Sequence, residues 1–113
     1  ENCTGIKASR QMVDTEAPDI VQAIAERYLD IGCAVMTPDN GRMELLRQLT
    51  EEYAIDGIIE VDLQTCTPYA IEARQVGRLA QELGKPYLRL ETDYSAGDGG
   101  QISTRLDAFF ETL

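Results

Sequence analysis

The stretch from Asp56 to Leu113 constrains the fold more than any other part of the chain. It reads as strand, cysteine-bearing loop, helix, strand, acidic loop, helix. Gly57 to Val61 is a short apolar run, β-branched at its centre, and suits a buried parallel strand. Pro68 sits where the following helix tolerates a missing N–H. Ala73, Val76, Ala80 and Leu83 recur at helical spacing, and Gly84 stops that helix. The small residues on this face let the helix lie close to a sheet. Pro86 to Leu90 is the next strand, and Asp98-Gly99-Gly100 is a loop. The last helix turns Ile102, Leu106, Phe109 and Leu113 inward. Strand–helix–strand order implies a right-handed βαβ crossover.

The first half reads as helices around short connections. Glu1 to Asp14 has no clear period, and Cys3-Thr4-Gly5 looks like a turn leaving a strand upstream. Thr15 is the expected cap of a helix whose stripe is Ile20, Ala23, Ile24, Tyr28 and Ile31, with Gly32 ending it. Ala34 to Pro38 is a short edge strand or a loop. Asp39 or Asn40 caps the next helix, and Met43, Leu46, Leu49 and Tyr53 mark its inner face. Two strands make a thin parallel sheet. A third is expected from 34–37, from the first residues or from an upstream segment. The fold class is α/β: a flavodoxin-like (Rossmann-like) parallel sheet flanked by helices and built from βαβ units.

Composition excludes several classes. Twenty acidic residues against ten basic give a net charge of −10, which disfavours nucleic acid or an anionic membrane as partner. No apolar run approaches the roughly 20 residues of a membrane helix. Glu1 opens the chain without a signal-peptide pattern and without an initiator Met, so the chain reads as a cytoplasmic piece of something longer. Three widely spaced cysteines with no CxxC do not make a disulfide scaffold. The chain has no His, which excludes Ser-His and Cys-His triads within it.

Chemistry is expected at two loops. Cys66 falls just past the carboxyl end of the first strand, where open α/β sheets hold ligands. Amides at a helix N-terminus favour a thiolate, the form that binds iron or attacks an electrophile. Against this stands a buried, inert cysteine. If the loops of Cys3, Cys33 and Cys66 meet at one sheet edge, three thiolates could hold one iron–sulfur cluster. Glu91-Thr92-Asp93-Tyr94-Ser95 also follows a strand's carboxyl end and leads through glycines into a helix. It could present amides to an anion, or be a solvated turn and helix cap. It lacks a P-loop and a dinucleotide fingerprint. Arg105 reads as a surface ion pair or a ligand contact.

Four segments carry a family resemblance. They are Glu1-Asn2-Cys3-Thr4-Gly5, Arg27-Tyr28-Leu29 with the Cys33 turn, Asp56-Gly57-Ile58-Ile59 with Gln64 and Cys66, and the run Pro86 to Ser95 followed by Gly100-Gln101 and Thr104-Arg105. The chain resembles the D-component family of 2-hydroxyacyl-CoA dehydratases, which includes 2-hydroxyglutaryl-CoA dehydratase, benzoyl-CoA reductase subunits and double-cubane cluster proteins. The resemblance implies that residues 1–113 are a single C-terminal α/β subdomain of a larger iron–sulfur protein. It implies a [4Fe-4S] or double-cubane cluster in the full-length protein, absent from this piece alone. It implies an ATP-hydrolysing iron–sulfur activator, a homologous partner subunit, and an acyl-CoA or other small-molecule substrate. The implied chemistry is one-electron reduction of a thioester to a ketyl radical that expels its hydroxyl as water, or reduction of a small molecule. Cys66 matches the family's late cluster ligand, with Cys33 and Cys3 as further metal ligands. Gln64, Asp93 and Tyr94 match positions lining the site. The competing expectation is a metal-free flavodoxin-like module for binding or dimerisation.

Overall fold

The computed structural model describes residues 11–33, 35, 38–93 and 95–113. These form α1 (Ile20–Leu29), α2 (Asn40–Glu52), β1 (Ile58–Leu63), α3 (Thr67–Glu82), β2 (Tyr87–Thr92) and α4 (Gly99–Phe110). β1 and β2 pair in parallel, from Ile58 opposite Tyr87 to Leu63 opposite Thr92. The expected α/β class holds, as a small flavodoxin-like unit. The chain divides into two compact units, residues 1–45 and 46–113. Only two strands occur among the described residues. The first ten residues and three of the four positions 34–37, where a third strand was expected, lie outside them.

In the second unit α3 buries Ala73, Val76, Leu79 and Ala80, and Leu90 of β2 and Phe109 of α4 are buried as well. Its expected inner face is therefore right, except that Leu83 is the half-buried cap residue and Glu72 and Leu79 join the face. Gly84 adopts φ +65°, the left-handed conformation that terminates a helix. Lys85 N–H then returns to the Ala80 carbonyl at 2.9 Å. Gly77 allows close approach, since a Cβ there would lie 3.2 Å from the Tyr87 ring.

β1 inverts the usual pattern. Glu60 and Asp62 are buried, while Ile59, Val61 and Leu63 are 39%, 58% and 44% exposed. Register places Tyr87 and Arg89 on the face of Glu60 and Asp62. Tyr87 Oη donates to Glu60 and lies 3.2 Å from the Ala73 carbonyl of α3. Arg89 Nε donates to Asp62 Oδ2 at 2.6 Å. These partners make burial of the carboxylates tolerable. β2 also runs two residues beyond the expected Leu90.

Several boundaries differ from expectation. Asp19, not Thr15, caps α1, its Oδ1 accepting from Val21 N at 3.0 Å and Gln22 N at 3.1 Å. Pro18 directly before it disfavours helical backbone at Ala17, so the helix does not start earlier. α1 ends at Leu29 with Asp30 as its cap, so Gly32 does not terminate it. Gly32 instead makes room, because a Cβ there would lie 2.9 Å from Asp39 Oδ1. Of the expected α1 stripe only Ala23 is buried; Ile20, Ile24 and Tyr28 are exposed. Asp39 caps α2 as expected, accepting from Arg42 N at 3.1 Å. Met43, Leu46 and Leu49 are half-buried, and Tyr53 is exposed beyond the helix end. In α4, Ile102 and Leu106 are half-buried and Phe109 is buried, whereas Leu113 lies past the helix and is exposed.

Candidate functional site at the carboxyl rim of the sheet

Both strands end at the same rim. Gln64 N–H donates to the Thr92 carbonyl at 2.7 Å, the last bond tying the two strands before they part. The first loop then turns sharply. Thr65 has φ +72°, an uncommon conformation for a β-branched residue that costs about 1–2 kcal/mol. Cys66 N–H closes the turn on the Leu63 carbonyl at 2.9 Å. Cys66 is the N-cap residue of α3, and its side chain makes no cap bond to that helix. Pro68 follows in the first turn, as its missing N–H permits. The Cys66 thiol is free and half-buried.

The second loop leaves β2 beside the first. Asp93 is exposed, and its Oδ1 accepts from Ser95 N at 2.6 Å. Hydrogen bonds from Ser95, the hydroxyl first and the amide second, hold the Asp93 carboxyl below the usual range. Thr92 Oγ1 lies 2.6 Å from Asp98 Oδ2 at the start of α4. Arg105 Nη2 donates to the Arg89 carbonyl at 2.5 Å, so it braces β2 rather than forming the expected surface ion pair.

The structure brings Gln64, Cys66 and Asp93 to one rim, with Gln64 exposed. Cys33 is a free, half-buried thiol in the first unit, three residues past the α1 cap. Cys3 and Tyr94 lie outside the described residues. No group of three or more His, Cys, Asp or Glu side chains converges as a metal site among the described residues. The Cys66 sulfur is free and half-buried at the strand-to-helix turn, not sealed in the apolar core. Sequence reasoning missed the side-chain pairing of Thr92 with Asp98. The signal is a hydroxyl residue closing a strand and an Asp just before the glycines that open the next helix.

The family model for the 2-hydroxyglutaryl-CoA dehydratase D-component matches residues 1–113. The chain belongs to this D-component family. It is 46% identical, over 114 residues and its whole length, to YjiM of Escherichia coli (strain K12), a protein named as a dehydratase subunit. It is 28% identical, over 99 residues and 87% of its length, to the (R)-phenyllactyl-CoA dehydratase beta subunit of Clostridium sporogenes. The chain spans 30% and 26% of the lengths of these two relatives. No helix among the described residues is long and apolar enough to cross a membrane.

Proposed function

We propose that residues 1–113 act as the C-terminal subdomain of a cytoplasmic 2-hydroxyacyl-CoA dehydratase-like iron–sulfur protein, with Cys66 as a thiolate ligand of its cluster. The observation that carries this reading is the free Cys66 thiol at the carboxyl rim of a parallel sheet. Open α/β sheets place their ligands at such a rim. Membership of the D-component family supports the reaction class. The name of the Clostridium sporogenes relative supports an acyl-CoA substrate and a second subunit.

When bound, a [4Fe-4S] or double-cubane cluster supplies low-potential one-electron chemistry. An ATP-hydrolysing activator would be the electron donor, and a 2-hydroxyacyl thioester or another small molecule the substrate. This chain's residues hold and orient. Cys66 would hold the cluster, with Cys33 and Cys3 as further ligands in the intact protein. Gln64 and Asp93 line the rim, and Tyr94 is a further substrate- or site-contacting residue. Asp93, whose carboxyl is held below the usual range by Ser95, is ionised near neutral pH and accepts hydrogen bonds rather than giving a proton.

Anaerobic cluster reconstitution of the intact protein with Cys66→Ala, Cys33→Ala and Cys3→Ala tests the ligand set. Each true ligand lowers the bound iron when removed. Wild-type iron content in Cys66→Ala would overturn the reading at its centre.

A further inference from the structure

The acidic loop between β2 and α4 is closed by side chains at its base. The two Asp residues that precede helices α1 and α4 behave differently. Asp19 has extended backbone, φ −122° and ψ 99°, and its carboxylate accepts from two amides of its own helix. Asp98 has helical backbone, φ −97° and ψ 0°, and makes no side-chain bond to α4. Its carboxylate turns back to the strand end, where Thr92 Oγ1 donates to Asp98 Oδ2 at 2.6 Å. α4 thus forgoes the stabilisation that Asp19 gives α1.

Thr92 works in two directions. Its carbonyl accepts from Gln64 N–H at 2.7 Å, two residues before Cys66. Its hydroxyl holds Asp98 on the far side of the second loop. Paired parallel strands lie about 4.8 Å apart, so the Cys66 loop and the loop of residues 93–98 leave the sheet side by side. We propose that Thr92 and Asp98 form a clasp that fixes the acidic loop beside Cys66, which makes Thr92 a positioning residue of the rim. This rests on the reading of the rim as the working site.

Two measurements on the cluster-free intact protein test the clasp: hydrogen exchange of peptides covering residues 93–102, and alkylation of Cys66 by iodoacetamide, followed by peptide mass. Thr92→Val keeps the carbonyl and removes the hydroxyl. It raises exchange in the loop roughly tenfold, the size expected for one lost hydrogen bond to a charged group. It also speeds Cys66 alkylation several-fold. Thr92→Ser, which keeps the hydroxyl, restores both to near wild type. Asp98→Ala reproduces the Thr92→Val result from outside the sheet, and the double variant is no worse than either single one, as for two halves of one interaction. Unchanged exchange or unchanged alkylation in Thr92→Val overturns the proposal. So does a Thr92→Ser variant as loose as Thr92→Val, or single effects that multiply. Failure of the cluster reading looks different: Cys66→Ala keeps its iron while the exchange and alkylation pattern stands.

Discussion

Asp62 and Arg89 form an ion pair across the two strands, Nε to Oδ2 at 2.6 Å, with the Asp62 side chain 1% exposed and the Arg89 side chain 37% exposed. Register sets Arg89 opposite Glu60, so the guanidinium reaches diagonally to the next acidic residue. Asp62 Oδ1 is buried with no hydrogen-bond partner, which leaves Arg89 as the bond that compensates this carboxylate.

Arg89→Met keeps much of the side-chain volume and strands that buried charge. Removing one member of a fully buried pair costs about 3–5 kcal/mol, and an exposed pair well under 1. Arg89 reaches solvent, so the expected loss is about 2–3 kcal/mol. Urea titration checks it. A midpoint equal to wild type would show that Asp62 is compensated some other way.

The Tyr87 phenol sits well above its ordinary value near 10, through burial first and then the Glu60 carboxylate that accepts its hydrogen bond. The folded chain keeps this proton where the unfolded chain releases it. The resulting stabilisation is complete below about pH 10 and is lost as pH rises through the folded value. Tyr87→Phe has no proton there to lose. Its stability is lower by about 1–2 kcal/mol at neutral pH, from the missing donor to Glu60. It also falls less steeply above pH 10 than wild type does. Thermal melts at several pH values between neutrality and the alkaline limit compare the slopes.

Thr65 holds φ +72° immediately before Cys66. Glycine adopts that conformation without steric cost, and its extra unfolded-state entropy offsets part of the gain. Thr65→Gly is expected to raise stability by about 0.5–1 kcal/mol. A thermal midpoint below wild type would mean that the Thr65 side chain makes a compensating contact.

Gly57 lies against the end of the chain. A Cβ there would come within 2.8 Å of both Phe109 Cζ and Leu113 Cδ2. Leu113 is exposed and can swing aside, but the Phe109 ring is buried. Gly57→Ala therefore displaces the ring and costs about 1–3 kcal/mol, read as a lower denaturation midpoint.

The second unit was largely legible in sequence because its signals agree. Pro68 opens α3, helical spacing marks Ala73, Val76 and Ala80, and Gly84 closes it. β1 was legible as a strand but not in its facing. The apolar run at residues 57–61 suggests a strand buried throughout, whereas Ile59, Val61 and Leu63 are exposed and Glu60 and Asp62 are buried. What reverses it is a pair of partners on another strand, Tyr87 and Arg89, which no local pattern announces. The start of α1 failed for a local reason, since Thr15 and Asp19 are both good caps and Pro18 decides between them. At the rim, the place of Cys66 follows from strand and helix order alone. The Thr92–Asp98 bond depends on how the intervening loop curls, which residue types do not specify.

Parallel pairing has a consequence for how this fold can vary. The crossover through α3 delivers two turns, distant in sequence, to neighbouring strand ends, while Tyr87, Glu60, Asp62 and Arg89 lock the ladder beneath them. Beyond Gln64 and Thr92, either turn can change length or composition without altering the hydrogen bonds that align the strands. The chain thereby separates the part that must stay constant from the part free to diversify.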